Sequence, residues 1–201
     1  MRARRAAPRW FAIVVSTFCF AQAFGQARPI DTSNSKLVVH VSKAGAFSAL
    51  GDDHQVEAPI AEGSVDEATR RVSFVVESQR MKVLDPQLSP DKRQQVQERM
   101  VGPEVLNVAS FPRITFESTR VEQAGADRLV VYGQLSLHGV TRSVVVNVRA
   151  ENGRYVGSAT LKQKEFGITP VSIAGGTVKV KDELTIEFDV RLSTQPKAAS
   201  N

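Results

Sequence analysis

The stretch FPRITFESTRVEQAGADRLVVYGQLSLHGVT, residues Phe111 to Thr141, decides the fold class. Ile114, Phe116 and Ser118 alternate with Thr115, Glu117 and Thr119. After a Gly-containing turn, Leu129, Val131, Gly133, Leu135 and Leu137 alternate with Val130, Tyr132, Gln134, Ser136 and His138. A period of two sustained over that length predicts antiparallel strands with one apolar face. The compact corner Leu137-His138-Gly139-Val140-Thr141 closes the pair.

The same period recurs outward from this hairpin. Leu37, Val39 and Val41 alternate, and Ala44–Leu50 is expected to continue the sheet after a bend. His54–Ile60 is interrupted by Pro59 and reads as an edge or a loop. Val72, Phe74 and Val76 share a side, as do Val144, Val146 and Val148. Arg154–Lys164 alternates around Tyr155, Gly157, Ala159 and Leu161. Leu184, Ile186, Phe188, Val190 and Leu192 point one way, with Glu187, Asp189 and Arg191 opposite. That makes about eight strands, which suit a sandwich or a closed barrel wide enough for one small or elongated ligand. Gly133, Gly157 and Ala159 fall on inward faces and predict either bends or free internal volume.

One segment breaks the alternation. Ser89-Pro90-Asp91 carries an N-cap, a proline for the first helical position and an acid for the first turn. A helix is expected to about Val101 with Gly102 as its stop, and Pro103–Val108 is expected to add a turn. Val96 and Met100, four apart, form its narrow apolar stripe.

The amino terminus reads as a secretory signal over residues 1–27. Arg2, Arg4, Arg5 and Arg9 precede an uncharged run from Trp10 to about Phe24, too short for a comfortable membrane span. Cleavage is expected after Ala23, Gly25 or Ala27, with the last two favoured. The whole chain carries 26 Lys+Arg against 21 Asp+Glu. The first 27 residues hold four Arg and no acid, which leaves 22 against 21, or +1, for the exported part. The basic balance therefore belongs to the signal, and no nucleic-acid partner is expected. Cys19, the only cysteine, would leave with it, so disulfides and thiol chemistry are not expected. One domain is read over 28–193, followed by a loose polar tail over 194–201.

At this point three motifs acquire a likeness. Phe111–Thr119 resembles the "pPxitFkST" strand of the YceI-like, polyisoprenoid-binding family, and Tyr132–Thr141 resembles its "vtGdLtlhGvT" hairpin. Lys164-Glu165-Phe166-Gly167-Ile168 resembles its "R-x-D-F-G-I" segment, with Lys and Glu in place of Arg and Asp. The order and spacing fit over about Ser35 to Leu192. The amino-terminal half diverges more, and Asp52 in Gly51-Asp52-Asp53-His54 stands where one branch has a first His. The resemblance implies an all-β, lipocalin-like antiparallel barrel with one short helical insertion, exported to the periplasm. It implies an apolar channel for an isoprenoid chain, and members are often dimers, so a homodimer is expected.

No catalytic constellation accompanies these strands. There is no G-x-S-x-G elbow, and Ala174-Gly175-Gly176-Thr177 does not lead from a strand into a helix, so it reads as a flexible loop. The three histidines, His40, His54 and His138, match no zinc-binding spacing, so neither a metal nor an enzyme is expected. His40 reads as a surface residue. For a bound chain, the lining candidates are Phe116, Leu135, Leu137, Ile186 and Phe188 from the sheet, with Met100, Leu106 and Phe166 from the insertion and a loop. His54 and His138 are the headgroup candidates, and each has a plain local reading as a turn-ordering residue. At about 0.3 kcal/mol per heavy atom, a ~40-carbon tail would contribute ~12 kcal/mol, about nanomolar affinity. No cofactor is required, although the ligand could be an isoprenoid quinone, a polyprenyl phosphate, or a fatty acid or amide. A rival reading is a packed barrel acting in the envelope through another protein, a membrane cytochrome among them.

Overall fold

The computed structural model describes residues 27–44, 53–173 and 178–194. The expected signal segment, most of Ala44–Leu50 and the 174–177 loop lie outside them. One antiparallel sheet contains all the strands: β1 (Arg28–Pro29), β2 (Lys36–Ala44), β3 (His54–Glu57), β4 (Ile60–Asp66), β5 (Arg71–Glu77), β6 (Lys82–Val83), β7 (Arg113–Gln123), β8 (Arg128–Leu137), β9 (Val140–Glu151), β10 (Arg154–Lys162), β11 (Ser172–Ile173) and β12 (Val178–Arg191). The order is β1-β4-β5-β7-β8-β9-β10-β12-β2-β3-β6, with β11 on β12.

The sheet closes on itself through its first strand. β1 pairs with β4, and Ile30 just beyond it bridges Leu192 at the end of β12. Asp31 N–H donates to Arg191 O at 2.8 Å and Ser193 N–H donates to Pro29 O at 2.9 Å. β1 and β2 are thus one strand interrupted by a turn. β3 and β4 are likewise one strand across Ala58-Pro59, where Ala58 N–H still donates to Leu37 O of β2. With each pair counted once, and β6 and β11 as side pieces, the barrel has the eight staves expected from the alternation. Closure leaves the main staves without an exposed hydrogen-bonding edge.

The register depends on shifts that simple alternation hides, at Ile60/Glu62 in β4 and at two further places. β7 shifts against β8 between Ser118 and Arg120, so Val121 and Gln123 face inward beyond that point, where strict alternation would have placed Arg120 and Glu122. Ser118, the last inward residue before the bulge, is buried, and its Oγ accepts the Val72 N–H at 2.8 Å, beyond the end of the β5–β7 ladder. β12 shifts against β2 between Val180 and Leu184. β4 has no clear alternation in Ile60-Ala61-Glu62-Gly63-Ser64-Val65-Asp66, and pairing with β1 and β5 is what makes it a strand.

The inward glycines do not leave free space. A Cβ on Gly133 would sit 2.4 Å from Phe116 Cζ, and one on Gly157 would sit 2.7 Å from Phe188 Cζ and 2.0 Å from the Asn147 carbonyl oxygen. Each glycine is the seat of an aromatic ring from the neighbouring strand. The expectation of volume at these positions is corrected accordingly.

The insertion caps one end of the barrel. Helix α1 runs Pro90–Val101, with the Ser89 hydroxyl accepting from Lys92 N–H and Gly102 at its carboxyl end. Its apolar stripe is too narrow to bury more than one edge. Met100 is buried, Val96 packs beside it, and the following turn brings in Leu106. These join Met81, Val83, Val56 and Ile168 in one cluster, where burying a side chain of this size stabilises by about 2 kcal/mol.

Candidate functional site

Inside the barrel lies an apolar cavity of about 490 Å³. All the main staves contribute to its wall, with Val39, Phe74, Leu129, Val146, Leu161 and Ile186 among the residues they place there. Many inward side chains of β8, β9, β10 and β12 are only half-buried, although they lie on the inner face of a closed sheet. A packed core would bury them almost completely. Their exposure is to the space within.

The two ends of this cavity differ. At the helix end, Met81, Met100, Val105 and Leu106 form the wall, together with Leu137 and Ile168. Gln163 is the one polar wall residue there among the described residues, and its amide is engaged, donating to Lys181 O at 2.8 Å. At the opposite end, the tight connections between β4 and β5, β7 and β8, and β9 and β10 surround the cavity. All other polar wall residues among those described belong to this rim: Asp66, Glu67, Arg70, Gln123, Asp127 and Tyr155.

The rim is held by specific bonds. Asp66 accepts from the backbone N–H groups of Ala68 and Thr69, both at 3.0 Å, and the Thr69 bonds hold its carboxyl below the usual range. Tyr155 donates its hydroxyl to Glu67 Oε1 at 2.5 Å, and Arg28 Nη1 lies 3.9 Å from the other Glu67 oxygen. Burial, and then the Glu67 bond, push the Tyr155 phenol well above its ordinary value. Asp127 pairs with Arg149 at 3.1 Å.

Seven of the eight residues expected to line a channel do lie on the cavity wall: Phe116, Leu135, Leu137, Ile186, Phe188, Met100 and Leu106. Phe166 does not. It is completely buried behind the wall, packed in the cluster of Phe116, Val131 and Leu135, and it serves as core. Phe116 is also packed more than it is presented, stacked on Phe74 at 5.3 Å between ring centres and seated over Gly133.

The two histidines proposed for a headgroup sit at the helix end, away from the polar rim. His54 Nδ1 lies 2.6 Å from Asp85 Oδ2, and the other Asp85 oxygen accepts the Gln55 N–H at 2.8 Å. Asp85 is 1% exposed, and this pairing ties the segment before α1 to β3. His138 occupies the turn with Gly139, both at positive φ, as a two-residue hairpin between β8 and β9 demands. Its ring lies against Phe111 at 4.4 Å, with Nδ1 3.3 Å from Phe166 O. Both are ordering residues of the covered end. His40, on the outer face, reaches Glu187 at 3.2 Å.

The rim escapes a sequence reading because Asp66, Glu67, Arg70 and Asp127 sit in or beside turns of ordinary polar composition, Gln123 is turned inward only by the β7 bulge, and Tyr155 reads simply as one residue of an alternating strand. The available signal was topological: once the strands are counted, the β4–β5, β7–β8 and β9–β10 turns must share one end.

Comparison with known proteins agrees with this architecture. The profile of the YceI-like domain matches residues 29–192. A UPF0312 protein of Azotobacter vinelandii (strain DJ / ATCC BAA-1303) is 41% identical over 73 residues, which are 31% of this chain and 38% of that protein. A UPF0312 protein of Shewanella baltica (strain OS155 / ATCC BAA-1091) is 32% identical over 92 residues, 41% of this chain and 48% of that one. The chain thus matches less than half the length of these relatives. The crystal structure of Burkholderia cenocepacia BcnA superposes with a TM-score of 0.63 at 17% identity, covering 82% of this chain and 99% of that one. The profile match spans nearly the whole described barrel, its helical insertion included, and the chain belongs to the YceI-like family.

Proposed function

We propose that this protein is an exported, periplasmic binding protein that carries or sequesters an isoprenoid amphiphile, a polyprenyl phosphate or an isoprenoid quinone, with its tail in the barrel. The observation that carries this reading is the apolar cavity, walled by half-buried aliphatic side chains, with its charged residues at one end. A ligand site of this kind is an apolar concavity with few polar groups, typically about 300–1,000 Å³. Family membership supports a binding role over a catalytic one.

The test is to fill the space. Val146 is a half-buried wall residue away from the packed clusters' centres, so Val146→Trp occupies cavity volume with little loss of core. Titration with a fluorescent isoprenoid should give binding by the parent and at least a tenfold loss in the variant, with the thermal midpoint maintained. Equal binding by both would remove the tail from the barrel. Phe116→Arg is a poorer probe because it dismantles the Phe74–Phe116 stack.

A further inference from the structure

The polar rim is electrostatically uneven in a way that bears on the ligand's head. Three carboxylates line it, and each already has a donor of its own: Asp66 has Ala68 and Thr69 N–H, Glu67 has Tyr155 and Arg28, and Asp127 has Arg149. The one cation on the wall, Arg70, has no hydrogen bond or ion pair among the described residues. Its backbone sits at φ 54° at the end of the turn that Asp66 caps, and its exposed side chain borders the cavity edge.

We infer that Arg70 is the head-binding residue of this site and that the ligand is an anionic amphiphile, with one carboxylate or phosphate monoester at the turn end and its tail toward Met100 and Leu106. This rests on the tail-in-barrel reading and narrows it, favouring an oxyanion over a quinone or an alcohol. An unpaired guanidinium presents a planar fork of N–H donors that matches carboxylate and phosphate oxygens two at a time. A quinone or alcohol supplies no charge for it. The neighbouring carboxylates keep their charge, but each is bonded to donors of its own, so none of them occupies the Arg70 fork. His54 and His138 play no part, being committed at the other end.

Matched pairs test this on the full mature chain: farnesyl phosphate against farnesol, and palmitate against hexadecanol, measured by displacement of a neutral fluorescent probe. The parent should prefer the anion of each pair by about tenfold, the preference shrinking as salt is raised. Arg70→Gln should bring the anion to the level of its alcohol. Arg128→Gln removes an exposed cation at the start of β8 that does not line the cavity, and should keep the preference. The pair with the larger ratio identifies phosphate or carboxylate as the native head. Anion and alcohol binding alike in the parent, a preference that survives in Arg70→Gln, or an equal loss in Arg128→Gln would each overturn the assignment while leaving the barrel as the tail site. If neither member of either pair binds, the tail-in-barrel reading falls and the head assignment falls with it.

Discussion

The two ends of this barrel solve opposite problems. At the helix end, polar groups are spent on the protein itself: Asp85, off the cavity wall, is bonded to His54 and the Gln55 N–H, and Gln163 on the wall bonds to Lys181. At the turn end the polar residues remain at the cavity edge, and the perturbed titratable groups Asp31, Asp66, Arg154, Tyr155 and Asp189 all cluster there. One end is tied together by bonds within the protein, and the other leaves Arg70 unpaired at the cavity edge.

The largest expected effect is at the shut end. Asp85→Ala strands the half-buried His54 ring and the Gln55 N–H, and should cost about 3 kcal/mol in urea unfolding. A cost below about 1 kcal/mol would mean that the covered end is not held by this network. Next comes the wall between the ends. Gly157→Ala drives a Cβ toward the Asn147 carbonyl and the Phe188 ring, and should destabilise by about 2 kcal/mol. An unchanged denaturation midpoint would show that β9 and β10 can separate freely. Smaller again is Ser89→Ala, which removes the α1 cap for about 0.5–1 kcal/mol and should speed hydrogen exchange in α1 before the sheet.

The smallest effect belongs to the turn end and sharpens the comparison through pH. Hydrogen bonds from Arg154, above all, depress the Asp189 carboxyl below its ordinary 3.8, and bonds from Thr69 do the same for Asp66. A group whose folded pKa is lowered contributes stability above its unfolded pKa and loses it as pH falls through the folded value. Acid should therefore erode this end only below about pH 3.8, and Asp189→Asn should flatten that limb slightly. Both groups are partly open to water, which screens these bonds, so the change is small. An acid-sensitive step near neutral pH would place the controlling groups elsewhere.

Much of this fold was legible because its causes are local. Alternation marks one face of β8, β9 and β12 residue by residue, and Ser89-Pro90 with Gly102 brackets the helix at its observed limits. The rest depends on partners distant in sequence. β4 has no pattern of its own, and the bulge after Ser118 is visible only against β8. For the site, the apolar wall followed from alternation, whereas Phe166 looks like any inward aromatic until its neighbours fully enclose it. The histidines drew attention because histidine is chemically versatile, but His54 is held by Asp85, 31 positions away in sequence. Arg70, a turn residue among many charges, stands out only when every neighbouring carboxylate has been matched to its donor.

The most direct test of the central claim is native mass spectrometry of the mature protein purified from exporting cells, followed by solvent extraction of whatever it carries. The account predicts a stoichiometric amphiphile with an isoprenoid tail, lost in Val146→Trp. A protein that arrives empty, and stays empty after incubation with polyprenyl phosphates, quinones and fatty acids, would contradict it and favour a barrel that works through its outer surface.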